Sequence, residues 1–291
     1  MTQPTGFLRH IEDCTRHDIS AFSRFLIDGK SLGWVKKDIE EILLRANGDF
    51  VQRPEGLCLN NTLSTYEIRT NTLSTATDLL CAHFNVAPRK EMYPVIEEWN
   101  DPPLAEIDRI AVPWFGTRGF GVHVNGYVKK PDGIYIWIAE RAHDRLLDPG
   151  KLDHIVAGGS PIGLSIHENL AKEAYEEAGI PKETAQNAEL IGTIGYKVDR
   201  LGGLRNDTLF IFDLLLDEAF QPINTDGEVA SFALLPIAEV AALVHDTDRF
   251  KFNCNLVIID FLMRHGFIAE THPEYESLTL ELASLRQPYL E

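Results

Sequence analysis

The segment from Gly158 to Ile180 constrains this chain more than any other. It opens on Gly158-Gly159, passes through Gly163, and closes on Gly179. Between the glycines, apolar residues recur at helical spacing, which predicts a helix over 166–178. Ser165 is the expected N-cap, with Glu168 three positions on as its capping-box partner. Gly179 supplies the stop, since only glycine enters the left-handed region without a Cβ penalty. At about 100° per residue, Glu173, Glu176 and Glu177 share one arc of that helix. Leu170, Ala171, Ala174 and Ala178 fill the neighbouring arc, small enough to pack on a sheet. An acidic arc beside a buried face can line a cleft. Its carboxylate oxygens are hard ligands suited to magnesium or manganese, ions that also engage phosphate oxygens. A solvated acidic helix is the commonplace alternative, and the glycine loop before and glycine stop after weigh against it.

Downstream of residue 100 the pattern is strand-rich. Gly121–Tyr127–Val128 and Gly133–Ala139 read as strands joined by a Lys130-Pro131-Asp132-Gly133 turn. Thr208–Leu214 and Val229–Leu234 are further strands, Pro236–Leu243 and Leu256–Arg264 are helices, and Gly266 is a C-cap. Upstream, Ile39–Leu44 and Leu79–Phe84 carry helical spacing, with a turn at Asn47-Gly48-Asp49. Asn100-Asp101-Pro102-Pro103 is the strongest boundary signal. The expected organisation is an N-terminal α+β accessory domain over 1–108 and a second domain with a C-terminal helical extension over 109–291.

The glycine-bounded segment resembles the Nudix box, G-x5-E-x7-R-E-U-x-E-E-x-G-U with U apolar. Gly158, Glu173, Ala174, Glu176, Glu177, Gly179 and Ile180 match it. Leu164 stands where the pattern has glutamate, and Lys172 where it has arginine. Both members of the usual bracing pair are therefore changed together, and Lys172 is left to pair with Glu168 or Glu176, each four residues away. Across Gly121–Tyr127, Ala157–Gly159, Glu168–Glu173, Asp226–Val229 and Asp260–Phe267, the chain resembles the Nudix branch that carries an extra N-terminal domain of unknown function. That branch is related to the Nudix portion attached to fungal thiamine pyrophosphokinase. The resemblance implies an α+β fold, a Nudix-type α/β/α sandwich with a mixed sheet.

It also implies hydrolysis of a small-molecule diphosphate with Mg2+ or Mn2+ as cofactor. Thiamine diphosphate or a damaged analogue is the substrate the branch points to. Nucleotide derivatives such as ADP-ribose or NADH are the alternative, as is a noncatalytic phosphometabolite sensor. Glu173 and Glu177 are the expected metal ligands, with Glu176 a further ligand or base contributor and Glu228 a ligand from outside the box. Arg118, Arg141, Lys151 and Arg205 are candidates to hold phosphate, and His123 to assist recognition. Trp114 and Tyr127 are candidates to stack on a heteroaromatic ring. Gly158, Gly159, Gly163, Leu164, Glu168, Lys172 and Gly179 are assigned to the support of loop and helix.

Composition narrows the setting. A net charge of −17 over 291 residues argues against a stable nucleic-acid partner. No apolar run reaches the roughly 18 residues of a membrane span, and Met1-Thr2-Gln3-Pro4 lacks the basic and apolar stretches of a secretory signal. Cys14, Cys58, Cys81 and Cys254 are dispersed, as expected for reduced thiols in a cytoplasmic protein. Homo-oligomerisation is left open.

Overall fold

The computed structural model describes residues 5–46, 48–200 and 202–287. Residues 1–4, and Asn47 of the expected turn, lie outside the described residues. The chain begins with α1 (Leu8–Thr15), then β1 (Phe22–Ile27) and β2 (Lys30–Lys36). Asp28 and Gly29 turn that hairpin, both at positive φ. After α2 (Lys37–Leu44), strands β3 (Phe50–Arg53) and β4 (Gly56–Leu59) complete a four-stranded sheet ordered β2-β1-β4-β3. Helix α3 (Tyr66–Phe84) is capped by the Thr65 hydroxyl and ended by Asn85 in the left-handed region. Its Leu73, Ala76 and Leu80 bury against Phe25, Ile39 and Leu57.

The hairpin β5 (Met92–Val95) and β6 (Ala105–Asp108) follows. Asn100-Asp101-Pro102-Pro103 falls in its loop rather than in a linker. The two prolines restrict that loop's backbone, while Val95 and Ala105 pair across it. After the short α4 (Val112–Phe115) the chain enters a seven-stranded mixed sheet. Its strands are β7 (Arg118–Lys130), β8 (Gly133–Arg141), β9 (Leu152–His154), β10 (Val156–Gly159), β11 (Glu189–Arg200), β12 (Gly203–Leu215) and β13 (Val229–Pro236). The main path runs β11-β12-β7-β8-β13, with β10 on β7 and β9 on β8. Strands β7 and β12 are parallel and the other pairings antiparallel.

Helices cover both faces. On one side α5 (Ile166–Ala178) sets Leu170, Ala174 and Ala178 against Val122, Val124, Phe210 and Phe212, beside the short α6 (Lys182–Ala185). On the other lie α7 (Ile237–Asp246), α8 (Cys254–Arg264) and α9 (Tyr275–Leu285), where Val257 and Phe261 pack with Ile138, Leu209 and Ile211. Burial on both faces explains why Thr208–Leu214 reads as a near-continuous apolar run. The expected α/β/α sandwich is therefore present.

The apolar cores interleave in sequence rather than part cleanly at residue 108. Phe7, Ile11 and Cys14 belong to the α8 core, while Ala111, Val112, Trp114 and Phe115 belong to the N-terminal one. A short helix cannot bury its apolar side alone, so α1 and α4 each dock where a complementary face is open. No helix among the described residues is long and apolar enough to cross a membrane.

Candidate active site

Helix α5 is fixed at both ends as its sequence dictates. The Ser165 hydroxyl accepts from the Glu168 amide at 3.3 Å, and the Glu168 carboxylate accepts from the Ser165 amide at 2.9 Å. Gly179 closes it at φ 63°. Asn169, fully buried, donates to the Gly159 carbonyl at 3.0 Å and so ties the glycine loop to the helix. No helical periodicity marks that asparagine in the sequence.

The three box glutamates are graded in depth. Glu177 points inward and accepts from the Ala157 amide at 2.7 Å. Glu173 keeps 13% of its side chain exposed and Glu176 keeps 40%. The Glu173 carboxyl lies against Gly158, where a Cβ would fall 2.2 Å from Glu173 Cδ. That close approach is the physical reason for glycine at 158. Gly159 meets the Tyr93 hydroxyl in the same way. Burial raises the Glu177 carboxyl to about 8, opposed by the Ala157 hydrogen bond. Burial also raises Glu173, against the pull of Lys172.

Lys172 bridges Glu173 at 2.9 Å and Glu176 at 2.7 Å. Its expected alternative partner, Glu168, is taken up by the capping box. The long lysine side chain reaches its sequence neighbour even though the two Cα vectors diverge, so its ammonium joins the acidic arc. Leu164 is half-buried, and Gly163 turns the loop at φ 90°.

The nominated basic and aromatic residues scatter. Arg141 is held by the Asp153 carboxylate at 3.0 Å and by the carbonyls of Leu147 and Asp148, which uses its guanidinium structurally. Lys151 donates to the Asp248 carbonyl. Arg118 pairs with Glu98 at 2.6 Å and lines a 310 Å³ cavity with Trp34 and Lys197. Arg205 pairs with Asp207 at 2.5 Å and lies 5.7 Å from the Phe252 ring centroid. His123 is buried, its Nδ1 3.1 Å from Nδ1 of His154.

Trp114 is buried in the N-terminal core, 5.2 Å from Phe84, and Tyr127 packs 5.5 Å from Phe261 of α8. Both rings are spent on packing, as large apolar surfaces in a core usually are. Glu228 pairs with Arg145. Its loop nevertheless abuts the acidic helix, because the Thr225 amide donates to the Glu176 carbonyl at 3.0 Å.

The hairpin β5–β6 brings further groups to the glycine loop. The Ile162 amide of the glycine loop donates to the Met92 carbonyl at 2.9 Å. Tyr93 is buried at Gly159, and Arg109 sits 5.9 Å over the Tyr93 ring and 2.7 Å from Glu91. Lys172 and Arg109 are the cations that stabilise the Glu173 carboxylate. No motif flags Arg109; only the docking of the N-terminal hairpin brings it to α5.

Glu177 and Glu173 both lie against the Ala157-Gly158 backbone of β10, and oxygen ligands of this kind suit a hard divalent cation that would offset their like charge. Residues 6–119 match the family described as domain of unknown function DUF4743. The chain is similar to Nudix hydrolase 24, chloroplastic, of Arabidopsis thaliana, at 41% identity over 94% of this chain and 76% of that protein. Nudix hydrolase 20, chloroplastic, of the same plant is 39% identical over the same shares. Uncharacterized protein YJR142W of Saccharomyces cerevisiae is 33% identical over 67% of this chain and 60% of that one. Likeness at this level, running through both the N-terminal unit and the capped glutamate helix, shows that the chain belongs to the Nudix hydrolases.

Proposed function

We propose that this chain hydrolyses a small-molecule diphosphate at the cleft of α5, using Glu173, Glu176 and Glu177 around Mg2+ or Mn2+. The observation that carries the reading is the packing of two partly desolvated carboxyls, Glu173 and Glu177, around the Ala157-Gly158 backbone. When bound, the cation neutralises charge on the phosphoryl oxygens and acidifies water. The Ala157 amide orients Glu177, and Lys172 bridges Glu173 and Glu176 and offsets their mutual repulsion. Glu176 is the most exposed of the three and the candidate to accept a proton from the attacking water at its free carboxylate oxygen. Arg109 keeps 45% of its side chain exposed beyond its Glu91 pair, and is the basic group from which a phosphate contact is expected.

For the substrate we propose thiamine diphosphate or an oxidised analogue, cleaved with water to the monophosphate and inorganic phosphate. Resemblance to the thiamine-linked branch supports this reading. Four buried free thiols fit a reducing compartment such as the cytoplasm. The test is a panel of thiamine diphosphate, oxidised thiamine diphosphates, nucleoside diphosphates, ADP-ribose and NADH at matched concentration with magnesium. A thiamine-type diphosphate is expected to give the highest kcat/KM. Preference for ADP-ribose or NADH would overturn the substrate and leave the chemistry. Tight binding of one compound with no turnover of any would overturn the hydrolase reading in favour of a sensor.

A further inference from the structure

The face of the sheet opposite α5 holds a second cluster with ligand chemistry of a different kind. His123 on β7, Asp153 and His154 on β9, and Cys254 at the start of α8 are all buried. One donor atom from each lies within 4.8 Å of every other. A tetrahedral zinc with bond lengths of about 2.0 to 2.3 Å spaces its ligand atoms by roughly 3.3 to 3.8 Å. Small side-chain shifts therefore bring this set to a common centre.

The metal-free hydrogen bonding is incomplete. His154 Nδ1 meets His123 Nδ1 at 3.1 Å, while His154 Nε2 is buried without a hydrogen-bond partner among the described residues. The edge of His154 that faces the cluster is Nδ1, which also lies 3.8 Å from Asp153 Oδ1, and two neutral imidazole nitrogens that meet there share a single proton. Cys254 Sγ lies 2.8 Å from Asp153 Oδ1. Arg141 and Lys251 both grip Asp153 Oδ2, at 3.0 and 3.2 Å, which fixes the carboxylate and turns Oδ1 towards the sulfur. Outer partners that orient a ligand in this way are characteristic of metal sites.

We propose that His123, Asp153, His154 and Cys254 form a site for a thiophilic divalent cation of the zinc class, separate from the glutamates of α5. Two imidazoles and a thiolate suit zinc, whereas magnesium prefers oxygen ligands. The cations on Oδ2 make Asp153 a weaker ligand, which disfavours a hard ion still further. Binding displaces the Cys254 thiol proton to solvent and leaves both histidines neutral. The bound ion ties β7, β9 and α8 together, and His154 lies three residues before the Ala157 amide that orients Glu177. The site stands whether or not the α5 reading does.

The full chain is loaded with zinc, dialysed exhaustively and assayed for metal, and separately titrated with cobalt(II) while absorbance is recorded. About one retained zinc per chain and a sulfur-to-cobalt charge-transfer band are expected. Cys254→Ser should abolish the band and weaken zinc retention by more than about tenfold. Glu176→Gln should leave the band intact, which separates this site from α5. His154→Asn serves as a second variant should Cys254→Ser fail to fold, and should lose zinc to a similar extent. Absence of the charge-transfer band in the wild-type chain would overturn the proposal, as would the same band in folded Cys254→Ser.

Discussion

On the α5 face of the large sheet, Glu173 and Glu176 keep part of their carboxylates open, whereas on the α8 face Asp153 is enclosed by Arg141, Lys251, Cys254 and its neighbour His154. The same strands serve both faces, since β7 sends Val122 and Val124 to one side and His123 to the other. The carboxylates beside α5 repel one another and are satisfied only in part by Lys172. The polar groups beside α8 mostly satisfy each other and link three elements. Substitutions on the first face should therefore act on turnover, and those on the second on stability.

The largest effect is expected at Glu177. Glu177→Gln keeps size but removes the charge, and turnover should fall more than about 100-fold, consistent with loss of a metal-organised transition state. Folding should survive, because a neutral amide fits a site whose burial already disfavours the carboxylate. The carboxyl, raised to about 8 from an ordinary 4.5, binds a proton in the folded state that the unfolded chain has lost. Stability of the metal-free protein should accordingly decline as pH rises from about 4.5 to 8, by the linkage between proton binding and folding. Urea melts across that range in EDTA measure it. An identical pH slope in Glu177→Gln would show that another group is responsible.

Arg141 tests the opposite face. Removing one partner of a buried pair ordinarily costs about 3–5 kcal/mol. Lys251 remains on the same Asp153 oxygen, so Arg141→Ala should cost nearer about 2 kcal/mol, while kcat of the folded fraction stays within a few-fold. Chemical denaturation beside kinetics reads both. A large loss of kcat with unchanged stability would reverse the contrast between the faces and return Arg141 to the phosphate-holding role expected from its sequence.

That reversal of expectation shows where sequence was informative. Helix α5 was legible because its signals are local: Ser165 and Glu168 cap it, Gly179 ends it, and the alanines mark the packed side. Strands β7, β8 and β12 were legible from alternation and apolar runs. The partners of charged residues were not, because they depend on contacts between residues far apart in sequence. Arg141 meets Asp153 only once β8 and β9 pair, and Arg109 acts electrostatically on Glu173 only because β5–β6 docks on the glycine loop. For aromatics such as Trp114 and Tyr127 core packing is the commoner role beside ring-stacking, and tertiary contacts place both rings in packing. The α8-face cluster joins residues 123, 153, 154 and 254, a spacing that resembles no compact metal motif.

Arg109 sharpens the comparison by asking whether the N-terminal unit takes part at the open face. Its expected contribution is smaller, since the side chain is partly exposed and already shares its charge with Glu91. Arg109→Ala should raise KM about tenfold and change kcat little, as for a contact made equally in ground and transition states. Arg109→Lys should restore part of the loss. Unchanged KM in Arg109→Ala would confine the site to the glutamate helix and its loop.

The smallest effect is expected at Lys172. It touches two of the three glutamates, yet its side chain is 42% exposed and so is much of Glu176. Solvent-exposed ion pairs contribute roughly 0–1 kcal/mol, because water screens the charges and ordering the lysine opposes the gain. Lys172→Ala should therefore shift stability by less than about 1 kcal/mol. It also unmasks Glu173 and Glu176, so the concentration of magnesium needed for half-maximal activity should stay level or fall. Substrate KM should move more than the metal requirement, through looser order of the loop that Glu173 buttresses at Gly158. Magnesium titrations of activity in Lys172→Ala and Glu177→Gln, run side by side, decide the point. Equal loss of metal response in both would place Lys172 among the groups that build the cation site, and the open face would then depend on its lysine as strictly as the closed face depends on Arg141.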